Sequence, residues 1–124
     1  DLVVLSQIEN LDQMNSEPSI TGININIAHK LFTEQIILVD ARAEEYFIEG
    51  HIPNALCDDN FDSLSFRLEK LLNVDDPFVV YCSDDDCGSS EDLAYELQAY
   101  GFSNIFLFKG GWKEWQSAGY PEAK

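Results

Sequence analysis

The apolar positions of this chain fall into short blocks of two kinds, and the two kinds alternate. Ile36-Ile37-Leu38-Val39, Phe78-Val79-Val80-Tyr81 and Ile105-Phe106-Leu107-Phe108 are unbroken apolar runs. Runs of that length, rich in β-branched and aromatic residues, predict strands buried on both faces, as in a parallel sheet. Elsewhere the apolar residues recur at helical spacing. Ile25, Ala28, Leu31 and Phe32 predict a short helix capped by Asn24. Leu64, Leu68, Leu71 and Leu72 predict a second, capped by Asp62 or Ser63. Leu93, Ala94 and Leu97 predict a third, running from Glu91 to Tyr100 and stopped by Gly101. Ala43 to Ile48 reads as a short helix ended by Gly50, and Lys113 to Ala118 as another ended by Gly119, with Pro121 beyond. Ala55-Leu56-Cys57 is a candidate short strand after the extended turn His51-Ile52-Pro53-Asn54. Strands alternating with helices predict an α/β domain with a mostly parallel central sheet flanked by helices. Residues 1–18 begin apolar and turn polar, which suits an N-terminal arm or linker before one domain over 19–124.

Within that pattern, Cys82 stands where a strand delivers its C-terminal end to a polar loop that feeds a helix. Ligands of open α/β sheets bind at such strand ends. Unpaired N–H groups and the positive end of the helix dipole collect there, and both favour an anion. A thiol so placed can have its pKa lowered and act as a thiolate nucleophile. The plainer reading of Cys82 is a small buried residue ending a strand. Asp40-Ala41-Arg42 lies at another strand end.

Composition narrows the options. The 124 residues suffice for one core. A net charge of −16 argues against nucleic acid and against anionic membrane surfaces as partners. No apolar run is long enough to span a bilayer and no signal-peptide pattern is present. The first residue is Asp, so an upstream segment is expected to be absent from this sequence. A cytoplasmic location is the expectation, with periplasmic placement or tethering through that segment as the alternative. Three cysteines, Cys57, Cys82 and Cys87, leave at least one free thiol in a monomer. Cys57 reads as core, His29 as surface or packing, and His51 as a structural hydrogen bonder in its turn. Trp112 and Trp115 read as anchors of the last helix. Ser89 or Ser90, with Glu91 and Asp92, reads as a cap and acidic first turn.

Taken in order, a set of short segments resembles a single rhodanese-like (sulfurtransferase) domain over about residues 19–121. These are Leu38-Val39-Asp40-Ala41-Arg42, Glu45-Tyr46, Gly50-His51-Ile52-Pro53-Asn54-Ala55, Val79-Val80-Tyr81-Cys82, Gly101-Phe102-Ser103-Asn104-Ile105, and Gly110-Gly111-Trp112 with Trp115. The resemblance implies transfer of a sulfane sulfur through a persulfide on Cys82. It implies a cradle of backbone amides from residues 83–88 (Ser83, Asp84, Asp85, Asp86, Cys87, Gly88), with Ser89 at its edge. Asp40 and Arg42 match the family's Asp-x-Arg pattern, as a loop-fixing ion pair or as direct substrate contacts. Small-molecule or protein-bound sulfur donors and acceptors would be the partners, and no cofactor or metal is expected.

The loop departs from the family pattern. It is longer than the common one, carries Asp84-Asp85-Asp86, and holds no Lys or Arg. Carboxylates beside a thiolate raise its pKa and repel anionic donors such as thiosulfate. The aspartates either point into water, leaving the cradle intact, or select a less anionic or protein-bound donor. Cys87 is placed like a resolving thiol for Cys82, if the Cα atoms come within about 7 Å; otherwise it is a thiol packed under the loop. A sulfurtransferase or persulfide carrier is thus the leading expectation. A non-catalytic rhodanese-like binding module and a Cys82–Cys87 redox switch are the alternatives. Phosphatase chemistry is disfavoured, because residues 83–92 offer no cationic side chain to hold phosphate.

Overall fold

A computed structural model of the chain describes residues 19–124, so the arm expected over 1–18 lies outside the described residues. Within the described residues four strands form one sheet: β1 (Ser19–Ile23), β2 (Leu38–Asp40), β3 (Phe78–Tyr81) and β4 (Asn104–Phe108). Their order is β1-β4-β3-β2, and every pairing is parallel. Among the described residues five helices connect and flank them: α1 (Ile25–Thr33), α2 (Glu44–Glu49), α3 (Phe61–Leu71), α4 (Ser89–Tyr100) and α5 (Gly111–Ser117). The α/β architecture with a parallel central sheet is the one the hydrophobic pattern predicts.

The unbroken apolar runs have the expected cause. In β3 the side chains alternate between two separate cores. Phe78 and Val80 join Leu64, Leu68, Ala94, Leu97 and Phe102 on the face covered by α3 and α4. Val79 and Tyr81 join Ala28, Ile52, Phe108 and Trp115 on the other. All four β3 residues are buried, since a central parallel strand has no wet face.

Several boundaries differ from expectation. The hydrophobic pattern does not predict β1. None of its residues is fully buried, and among the described residues it pairs with β4 alone, at the end of the sheet. β2 begins at Leu38 rather than Ile36, and Ala55 to Cys57 contributes one bridge, Leu56 to Val39, instead of a strand. α3 is capped by Asn60, not by Asp62 or Ser63: the Asn60 side chain accepts from the Ser63 backbone N–H at 2.8 Å. Leu64 and Leu68 are buried, while Leu71 is exposed as the helix ends. α4 starts at Ser89 rather than Glu91, and Gly88 occupies the cap position with no side-chain hydrogen bond. The capping role expected of Ser89 or Ser90 therefore falls to neither. α5 starts at Gly111 rather than Lys113.

The C-terminal residues close the Trp115 side of the molecule. Trp115 Nε1 donates to the Pro121 carbonyl at 2.7 Å, Tyr120 stacks on His29 with ring centroids 3.9 Å apart, and His51 and Ala123 exchange backbone hydrogen bonds. Among the described residues no helix is long and apolar enough to cross a membrane.

Candidate active site

β2 and β3 are neighbours in the sheet, so their C-terminal ends, Asp40 and Tyr81, lie in register side by side. The segment leaving each strand makes one half of the site.

After β2 the chain turns through Ala41, whose N–H donates to the Tyr81 carbonyl at 2.8 Å. Arg42 then folds back on Asp40. Its Nε donates to both carboxylate oxygens at 3.0 and 3.2 Å, and its Nη2 donates to Oδ2 at 2.8 Å. The Arg42 backbone N–H adds a further bond to Oδ1 at 2.9 Å. Nη2 also reaches the Gly50 carbonyl at 2.7 Å, and the guanidinium lies over the Trp112 ring at 5.3 Å. The Asp40 side chain is fully shielded and that of Arg42 is 6% exposed. Burial pulls the Arg42 pKa down, but the hydrogen bond and charge of Asp40 outweigh it and the net shift is upward. Beneath the pair, the Tyr81 hydroxyl accepts from the Ile52 N–H at 3.1 Å. Burial first, and then the Asp40 charge, push the Tyr81 phenol far above its ordinary range.

After β3 comes Cys82, 2% exposed. The structure joins it to half-buried Cys87 in a disulfide, with a Cα–Cα distance of 6.2 Å. The intervening loop is tight. The Asp86 N–H donates to the Asp84 carboxylate at 3.0 Å, and the Cys87 N–H donates to the Asp84 carbonyl at 3.1 Å. Two of the six amides expected to cradle an anion are thus directed at Asp84. Asp85 and Asp86 are exposed and Asp84 half-buried. Gly88 and Ser89 lie at the start of α4, whose first turn carries Glu91 and Asp92 at its positive end.

A third segment locks the base of the loop. The Trp112 N–H donates to the Cys82 carbonyl at 2.8 Å and the Lys113 N–H donates to the Ser83 carbonyl at 2.9 Å. This requires α5 to start hard against the loop. A Cβ on Gly111 would overlap the Cys82 carbonyl and lie 3.0 Å from the Ser83 carbonyl carbon, and Gly111 has φ +64°. Only glycine meets both conditions without strain.

The fold also supplies a cation that the loop sequence lacks. Lys113 and Glu114 of α5 line a groove of about 510 Å³ together with Asp84, Asp85 and Asp86. Sequence reasoning does not single out Lys113. Its only signal is its place directly after Gly110-Gly111-Trp112, a turn whose contact with the Cys82 loop is long-range.

Other flagged residues lie apart from this arrangement. Half-buried Cys57 donates its S–H to the Arg42 carbonyl at 3.4 Å. Burial, reinforced by Asp40, Asp59 and Glu44, pushes its thiol up to about 11, which leaves it protonated and unreactive at neutral pH. His51 Nδ1 lies 2.7 Å from the Phe47 carbonyl with its ring stacked on Phe47. His29 packs between Tyr120 and Phe32.

Residues 26–118 match the Rhodanese-like domain family. A thiosulfate sulfurtransferase (GlpE) of Pseudomonas syringae pv. syringae is 33% identical over 95 residues, covering 77% of this chain and 85% of that protein. A protein of the same name from Pseudomonas putida is 34% identical over 88 residues, covering 71% of this chain and 76% of its own length. Among solved structures, a Bacillus halodurans protein superposes with a TM-score of 0.69 at 20% identity, covering 96% of this chain and 85% of its own. A thiosulfate sulfurtransferase from Pseudomonas aeruginosa superposes with a TM-score of 0.68 at 24% identity over 87% of this chain and 20% of that one. At those identities the structural likeness is one of fold.

Proposed function

The chain belongs to the rhodanese-like domain family, and on that footing we propose that it is a sulfurtransferase that carries a sulfane sulfur as a persulfide on Cys82. One observation carries the reading: Cys82 directly follows the central strand β3 and opens the loop that leads to the N-terminus of the twelve-residue helix α4. There the helix dipole favours the thiolate and, after transfer, the terminal sulfur of the persulfide.

Cys82 reacts in its reduced form. The thiolate attacks the sulfane sulfur of the donor, a Cys82 Sγ–S bond forms, and the donor's own bond to that sulfur breaks. With thiosulfate the leaving group is sulfite; with a low-molecular-weight persulfide it is a thiolate. The terminal sulfur then passes to a nucleophilic acceptor. Asp84, Asp85 and Asp86 set the donor preference. Three negative charges at the entrance oppose thiosulfate, with its two charges, more than a singly charged or protein-bound persulfide. Lys113, in the same groove, offsets part of that field. Asp40 and Arg42 act as a frame that fixes the strand ends. Their polar atoms are directed at each other and at the Gly50 carbonyl, which favours this role over substrate contact.

Intact-protein mass spectrometry of the reduced chain tests the proposal, with thiosulfate and a low-molecular-weight persulfide offered separately. One added sulfur atom mapped to Cys82 of a Cys87→Ser chain, and absent once Cys82 is also replaced by Ser, is the expected result. A larger yield from the persulfide would identify the aspartates as a filter against anions. No gain from either donor, while Cys82 alkylates freely, would refute the sulfurtransferase reading and favour a binding module.

A further inference from the structure

We propose that Cys87 is a resolving nucleophile, which discharges the Cys82 persulfide inside the protein and releases the sulfur as hydrosulfide. This deepens the preceding function and rests on it. Three features of the structure support it. The sulfurs of Cys82 and Cys87 are already within bonding reach, on a backbone whose Cα atoms are 6.2 Å apart. Cys82 is 2% exposed, so its inner sulfur is shielded from acceptors in solution, whereas Cys87 approaches from within the loop. The loop between the two cysteines is acidic, with Asp84, Asp85 and Asp86 lining a groove beside it, so an anionic acceptor meets repulsion on approach from solution, whereas Cys87 is already in place.

The step balances without an external oxidant. The Cys87 thiolate attacks the inner sulfur, Sγ of Cys82. The Cys82–Cys87 bond forms, the bond between Cys82 Sγ and the sulfane sulfur breaks, and the sulfane sulfur leaves as hydrosulfide with the electron pair. The two cysteines are together oxidised by two electrons and the sulfane sulfur is reduced by two. The product is the disulfide seen in the structure. Return to the dithiol needs a reductant of the dithiol class. Such a reductant has access to Cys87, the half-buried partner, so its thiolate forms the mixed disulfide there and Cys82 departs as the thiolate. Cys82 is thereby regenerated at the helix end, ready to be loaded again.

The experiment is a single turnover under anaerobic conditions. Reduced, desalted protein is mixed with one equivalent of a low-molecular-weight persulfide, with no other reductant present. Hydrosulfide is trapped with a bimane reagent while intact mass and peptide maps are followed. Cys87→Ser and Cys87→Ala are run in parallel, with circular dichroism to establish that both are folded. The expected result for the natural sequence is about one hydrosulfide per chain, a final mass lower by two hydrogens, and a peptide cross-linked between Cys82 and Cys87. Both variants should keep one extra sulfur on Cys82 and reduce hydrosulfide to background. Equal hydrosulfide from the natural chain and the variants would overturn the resolving role while leaving persulfide formation intact. A persulfide that persists on the natural chain would do the same. Failure of both variants to gain sulfur, with no hydrosulfide from the natural chain, would overturn both this inference and the function beneath it.

Discussion

Asp40 and the Asp84–Asp86 run occupy equivalent ground, just at and just past the C-terminal ends of adjacent strands, and the fold treats them in opposite ways. Asp40 is buried and answered by Arg42 from its own turn through side chain and backbone. Asp85 and Asp86 are left exposed, and among the described residues the carboxylate of half-buried Asp84 accepts only from the Asp86 N–H of its own loop, with Lys113 and Glu114 lining the same groove. The same chemical group is therefore a structural fixture at one strand end and a source of field at the other. Burial decides which, because an ion inside the protein must be matched by its surroundings while one in water need not be.

Substitutions at four places in the molecule would sharpen or break that contrast, in falling order of effect. Arg42→Ala leaves Asp40 as a buried, unpaired charge and should destabilise the fold by about 3–5 kcal/mol in a urea titration. Arg42→Lys should recover only part of this, since a point charge cannot replace the two-nitrogen fork. A loss below about 1 kcal/mol would show that Asp40 is matched elsewhere. Gly111→Ala strains the junction between α5 and the Cys82 carbonyl and should cost about 1–3 kcal/mol, with slower loading of Cys82 because the base of the loop shifts. Neutralising the loop, Asp84, Asp85 and Asp86→Asn together, should raise the rate of loading from thiosulfate about two- to five-fold at low salt, with the gain fading as salt is added. Stability should scarcely change, and a large loss would mean that the Asp84 turn holds more than its own loop.

The smallest effect concerns Cys57. Its thiol is raised from an ordinary 9.0 to about 11, so the folded chain holds this proton more tightly than the unfolded one. The resulting stability is complete below pH 9.0 and is lost as pH rises toward about 11, where the folded thiol also ionises. Comparing Cys57→Ser with the natural chain across that range should show the difference shrinking as pH increases. In the reduced protein at neutral pH, Cys57 should be the slowest of the three cysteines to alkylate.

The central strands and helices are legible in the sequence because each rests on a local period. β3 is apolar throughout, and β4 from Ile105 onward, because both faces are covered, and α1 shows its core-facing stripe directly. β1 is not legible. Ser-Ile-Thr-Gly-Ile carries little strand signal, and its place depends on pairing with β4, far along the chain. The cap of α3 is ambiguous in sequence because Asn60, Asp62 and Ser63 all suit a cap, and only the course of the backbone shows which side chain reaches the N–H at Ser63. At the site, Cys82, Cys87, Asp40 and Arg42 stand out through type and spacing. Lys113 and the fit of Gly111 do not, since both arise from contact between segments about thirty residues apart in sequence.

The family match ends at residue 118, yet the packing of the molecule does not. Past that point Tyr120 covers His29 and Trp115, the Pro121 carbonyl accepts from the indole N–H, and Ala123 is laced to His51, whose turn also carries the Gly50 carbonyl that Arg42 grips. These few residues behave as a buckle: they fasten the last helix to the turn that supports the Asp40–Arg42 pair. Trimming them would leave every strand and helix intact in sequence while loosening the frame behind the candidate nucleophile.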